Sequence, residues 1–68
     1  MRVVLNGERR ELASEATVRE AVAASGAPSE GRGVAVALDG EVIPRRLWDE
    51  VALHEGQRVE VVRAVQGG

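Results

Sequence analysis

The sequence contains no cysteine, no lysine, no phenylalanine and no tyrosine, and only two prolines and one tryptophan among its 68 residues. The missing cysteines exclude disulfides, thiolate metal sites and a cysteine nucleophile, so the fold must stand on packing alone. No apolar run approaches the roughly 20 residues of a membrane span. Nothing at the N-terminus resembles a signal peptide. The expectation is a cytoplasmic protein with no membrane partner. Aromatic rings are nearly absent: Trp48 stands alone besides His54. The formal net charge is −2, with both signs spread along the chain. A nucleic-acid binder would carry a basic stripe with stacking aromatics, so no nucleic-acid partner is expected. All nine basic residues are arginine, and Asn and Gln are scarce. GC-rich coding produces that bias; thermophily also depletes Asn and Gln, but its usual signal is lysine enrichment.

A chain of 68 residues forms one domain at most. It buries roughly 60% of the surface that its unfolded form exposes. An enclosed ligand pocket takes about 300–1,000 Å³, more than so small a core can give up and stay packed. The size argues against a self-contained enzyme and for a carrier, an adaptor or a subunit.

The residues present divide into short elements. Met1 to Leu5 reads as a strand with Met1, Val3 and Leu5 on one face. Asn6-Gly7 is a strong hairpin signal, since both turn positions need φ > 0. Arg9 to Ala13 is expected to return as the second strand, with Leu12 as its candidate for burial. Thr17-Val18-Arg19-Glu20 matches a capping box. The helix it opens carries Val18, Ala21 and Val22 on one apolar face, and Gly26 followed by Pro28 ends it. After a turn-rich link at Ala27 to Gly33, Val34 to Leu38 is the next strand. Val34, Val36 and Leu38 share one face, and Ala35 and Ala37 the other. Asp39-Gly40 is a second hairpin signal. Glu41 to Ile43 is a short returning strand cut off by Pro44. Arg45 to Glu50 reads as a turn of helix or 3₁₀, Glu55-Gly56 as a turn, and Arg58 to Val65 as the last strand. The first and last strands, rich in valine, are expected to be central neighbours.

This order specifies an α+β protein of the β-grasp, or ubiquitin-like, fold: a mixed sheet of four to five strands with one helix across one face. Residues 1–65 are expected to form the domain and 66–68 a flexible tail ending in Gly-Gly. Glycine has no Cβ, so such a tail can enter a narrow channel in a partner, and its chemical handle is the carboxylate of Gly68. Gly67, Gln66 and Val65 are read as the part that lies in that channel.

On the last strand, Val59 and Val61 should face the helix, and Arg58, Glu60 and Val62 should face away. Val4 shares that outer face with Ala35 and Ala37. Val62 and Val4 are therefore docking candidates, since contiguous apolar patches mark partner surfaces. The plainer reading is that single exposed apolar residues are normal. Trp48 reads as a packing anchor before a binding hot spot, and His54 as a turn residue. Arg45 and Arg46 read as solvated, and Asp49, Glu50 and Glu55 as a solvated edge that could steer a basic partner. No catalytic side chain and no metal ligand is assigned.

Leu5-Asn6-Gly7, Thr17-Val18-Arg19-Glu20, Val42-Ile43-Pro44-Arg45 with Trp48, and Val59-Glu60-Val61-Val62 leading to Ala64-Val65-Gln66-Gly67-Gly68 together resemble the ThiS family, the sulfur carriers of thiamine (thiazole) biosynthesis. The resemblance covers essentially the whole length. Relatives often carry larger leucines where this helix has Val18, Ala21 and Val22. The resemblance implies a carrier that is a co-substrate of partner enzymes and not itself a catalyst. It implies adenylation of the terminal glycine carboxylate by an enzyme resembling the ubiquitin-activating enzymes. That enzyme uses ATP and magnesium, and the carrier binds no cofactor. A persulfide donor then supplies sulfur, and the resulting thiocarboxylate donates it to thiazole synthase. Two alternatives stay open: the small subunit of molybdopterin synthase, and a ubiquitin-like modifier or interaction module.

Overall fold

The computed structural model describes residues 1–64. The elements run β1 (Arg2–Leu5), β2 (Glu8–Glu11), α1 (Val18–Ala24), β3 (Val34–Leu38), β4 (Glu41–Val42), a 3₁₀ turn (Arg45–Leu47) and β5 (Arg58–Arg63). The five strands form one mixed sheet in the order β2-β1-β5-β3-β4. β5 is parallel to β1 and antiparallel to β3. The expected central pairing of the first and last strands is present, as is the α+β architecture with one helix on one face.

Both hairpins turn as their chemistry requires. Asn6 and Asp39 adopt φ of 50° and 49°, each followed by a glycine with positive φ. That left-handed pair matches the right-handed twist of the flanking strands. A two-residue loop sets the register, so Leu5 pairs with Glu8. The second strand therefore starts at Glu8 and ends at Glu11, one residue earlier than Arg9 and two short of Ala13. Leu12 lies just past it and packs half-buried against the core. β4 stops at Val42, one residue before Ile43.

Period-two alternation decides which side of each strand is buried. Val3 and Leu5 of β1, Val36 of β3, and Val59 and Val61 of β5 all face inward. They meet Val18, Ala21 and Val22 of α1, together with Ala27, Trp48 and Leu53. Each such valine contributes about 1.5–3 kcal/mol by leaving water, and the seven-residue helix would be marginal without that contact.

Both ends of the helix are tied to the rest of the fold. At its start the Thr17 amide donates to the Glu20 carboxylate at 3.3 Å, the capping-box contact. The Val18 and Arg19 amides, orphaned by helix geometry, donate to the carbonyls of Val51 and Trp48 at 3.0 and 3.1 Å. At its end the Arg10 guanidinium of β2 donates to the Ala24 carbonyl at 2.9 Å. Trp48 is fully buried, and its indole N–H donates to the Ile43 carbonyl at 2.9 Å. It is the packing anchor the sequence implied. No helix among the described residues is long and apolar enough to cross a membrane.

Candidate functional site

β5 lies in the middle of the sheet and leads towards the sequence Val65-Gln66-Gly67-Gly68. Those four residues, expected to form the end of the last strand and the tail, lie outside the described residues. The site is therefore built from what surrounds the exit of β5.

The entry to β5 is fixed by Asp39. Its carboxylate accepts the Arg58 amide at 2.9 Å and the Gln57 side-chain amide at 3.1 Å. The backbone hydrogen bond from Arg58, helped by Gln57 and by the Arg58 charge, holds the Asp39 carboxyl below the usual aspartate value. The middle of β5 is fixed by Asn6. Its side-chain oxygen accepts the Val61 amide at 2.8 Å, and its side-chain nitrogen donates to the Val61 carbonyl at 3.3 Å. At the exit, the Ala64 amide donates to the Gly33 carbonyl at 2.6 Å.

The face of the sheet away from the helix carries both large exposed hydrophobic residues found among the described residues, Val42 and Val62. Register pairs Ala35 with Val62 and Ala37 with Val42, and paired residues point to the same side. Val62 is 62% exposed and Val42 is 70% exposed. Val62 thus sits where the sequence placed it. Val4 shares the face, but its register partner is Arg58, so Glu60 separates it from Val62. The structure joins Val62 to Ala35, Ala37 and Val42 instead. Val42 escaped the sequence reading, although alternation against the inward-leaning Ile43 carried the signal.

A shallow depression of about 160 Å³ lies between Val4, Gly7, Arg58 and Glu60. It falls below the roughly 300 Å³ at which small-molecule sites begin. Among the described residues no group of His, Asp or Glu is arranged to hold a metal ion. His54 is exposed, and its main-chain amide is engaged by Gln57 at 2.7 Å. Arg45 and Arg46 are both exposed, as expected, and the Arg45 stem passes near Gly31. Of the three acids read as a solvated edge, Asp49 accepts from Arg19 at 2.6 Å and Glu55 accepts the Arg2 amide at 3.0 Å. Arg19 also lies over the Trp48 ring, 5.5 Å from its centroid. These charges brace the domain. What the arrangement offers chemically is a packed body, an apolar outer face, and a main chain held on both edges as far as Val61 and on the β3 edge to Ala64.

Comparison with known proteins points the same way. The ThiS family model matches residues 3–68. A thiazole synthase of Paramagnetospirillum magneticum is 34% identical over all 68 residues, and the chain spans about a fifth (20%) of that relative's length. The crystal structure of a thiamine biosynthesis protein (ThiS) from Geobacter metallireducens superimposes with a TM-score of 0.78 at 28% identity, covering 100% of both chains. SAMP1 from Haloferax volcanii shares the fold, with a TM-score of 0.59 at 21% identity over 98% of this chain and 97% of its own.

Proposed function

The chain belongs to the ThiS family, and from that premise we propose that it is a sulfur carrier of thiamine biosynthesis whose working group is the carboxylate of Gly68. The observation that carries this reading is the family match, which runs through Gly68 itself. The central position of β5, two residues from the start of Val65-Gln66-Gly67-Gly68, supports it.

A carboxylate resists nucleophiles because its charge repels them and oxide is a poor leaving group. In the proposed cycle a carboxylate oxygen of Gly68 attacks the α-phosphorus of ATP on an activating enzyme, and pyrophosphate leaves. The acyl adenylate now has AMP as a good leaving group, which splits one hard step into two easier ones. The terminal sulfur of a persulfide attacks the acyl carbon and expels AMP. Reductive cleavage of the resulting acyl disulfide by a thiol leaves a thiocarboxylate. Its sulfur passes to the thiazole precursor on thiazole synthase in exchange for a carbonyl oxygen of that precursor, and the carboxylate returns. ATP and magnesium belong to the activating partner. The thiazole synthase relative supports that recipient over molybdopterin synthase. The cycle is placed in the cytoplasm, a reducing compartment that suits thiol and persulfide chemistry.

The test incubates the protein ending at Gly68 with an activating enzyme, ATP and a persulfide donor, and reads intact mass. The expected product has one terminal oxygen exchanged for sulfur. Deleting Gly68 should leave the melting curve unchanged and abolish the product. Absence of the product where a control carrier reacts would overturn the proposal, and isopeptide conjugates to other proteins would favour the modifier alternative.

A further inference from the structure

Asn6 does two things at once. Its backbone, at φ 50°, forms the first corner of the β1–β2 turn. Its amide donates to the Val59 carbonyl at 2.8 Å, the last regular rung between β1 and β5. In a parallel ladder the next rung is made by that same residue's carbonyl accepting from two residues further along the neighbour. Here the Asn6 side-chain oxygen accepts the Val61 amide at 2.8 Å, and the side-chain nitrogen returns a bond to the Val61 carbonyl at 3.3 Å. The side chain thus continues the ladder after the main chain has turned away. Among the described residues beyond Val61, β5 is held from the β3 side alone, through Val62 opposite Ala35 and through Ala64 on Gly33.

The turn does not require this contact. Glycine satisfies a left-handed corner as readily, and aspartate is also common there. The paired bonds to Val61 need an amide, with a donor and an acceptor on one short side chain. We infer that Asn6 is a positioning residue for the carrier end: it clamps β5 on its β1 edge and sets where and in what direction the final residues leave the body. This rests on the sulfur-carrier reading above. A clamped strand presents the last residues to a partner channel in one orientation, and an unclamped one divides its time among several. Apparent affinity falls by the competent fraction, while chemistry inside the channel is untouched.

The variant Asn6→Gly keeps the turn and removes the clamp. In amide hydrogen exchange on the protein alone, Val61, Val62 and Ala64 should exchange about tenfold faster, the loss of one hydrogen bond, relative to Val36 and Val22. In ATP–pyrophosphate exchange with the activating enzyme, KM for the carrier should rise about tenfold with kcat unchanged. Asn6→Asp, which keeps the turn and the acceptor for the Val61 amide, should fall between. Val22→Ala, a core change that leaves both Asn6–Val61 bonds in place, should leave KM at the wild-type value. Unchanged exchange at Val61 and Ala64, or an equal KM shift in Val22→Ala, would overturn the inference. A wild-type chain that is not adenylated at all would overturn the sulfur-carrier reading, and the exchange measurement would still decide the clamp.

Discussion

Gly31 offers a test of how tightly this small core is built. Its φ is 83°, and a Cβ there would lie 2.6 Å from Arg45 Cδ, 2.6 Å from Trp48 Cζ3 and 2.9 Å from Trp48 Cη2. Gly31→Ala therefore carries two penalties. The left-handed backbone costs any L-residue about 1–2 kcal/mol. The Arg45 stem can swing aside, but Trp48 is fully buried and cannot move without disturbing the core, which costs about 1–3 kcal/mol more. The sum, about 2–5 kcal/mol, is a large part of the roughly 3–10 kcal/mol expected for a domain of this size. Gly26→Ala is the control: its φ is 88°, and nothing lies within 4 Å of the added carbon. It should lose the backbone penalty alone. With a urea slope near 1 kcal/mol per molar, the Gly31→Ala midpoint should lie about 1–3 M below that of Gly26→Ala. Trp48 fluorescence and far-UV circular dichroism should report the same midpoints. Adding Trp48→Phe, which removes the clashing ring edge, should recover about 1 kcal/mol or more of the Gly31→Ala loss in a double-mutant cycle. Coincident midpoints for the two glycine variants would refute the close approach of Gly31 to Trp48.

Asp39 predicts a pH dependence. Its folded-state pKa is depressed below the ordinary 3.8, so its contribution is complete above that value and is lost as pH falls through the folded-state value. Asp39→Asn should lower the urea midpoint near about pH 7, and the gap to wild type should close on acidification below 3.8; a constant gap would contradict this. On the outer face, Val42→Thr with Val62→Thr should shift stability by no more than about 1 kcal/mol. The pair should weaken binding to the activating enzyme or thiazole synthase about tenfold, from the apolar contact removed. Equal affinity measured by calorimetry would take this face out of the docking surface.

The parts of the fold legible in the sequence are those that local chemistry controls. Asn6-Gly7 and Asp39-Gly40 announced their turns because few residues accept positive φ. Thr17 to Glu20 announced the helix start, and the Val/Ala alternation of 34–38 announced which face is buried. Strand limits slipped by a residue or two because the turn geometry, and not the hydrophobic pattern, sets the register. The features not legible join residues far apart: Arg10 on the Ala24 carbonyl, Asn6 on Val61, and Gly31 beneath Trp48. Each residue type had a sufficient local explanation, so nothing in the sequence asked for a second one. The patch around Val62 was legible in part, since parity gave its face but only the β3–β4 register brought in Val42.

The parallel pairing of β1 with β5 also bears on how the chain reaches its folded state. Val4 pairs with Arg58 and Leu5 with Val59, across nearly the whole sequence. Such long closures must be made before they are rewarded, which slows folding towards the millisecond-to-second range. Until β5 inserts, β1 and β3 each have an open edge beside exposed valines, the condition that favours aggregation. Arg58 to Arg63 is therefore the keystone of assembly. A chain whose core has not closed also lacks the support that holds β5, so a partner that reads this strand meets it only in molecules that have finished folding.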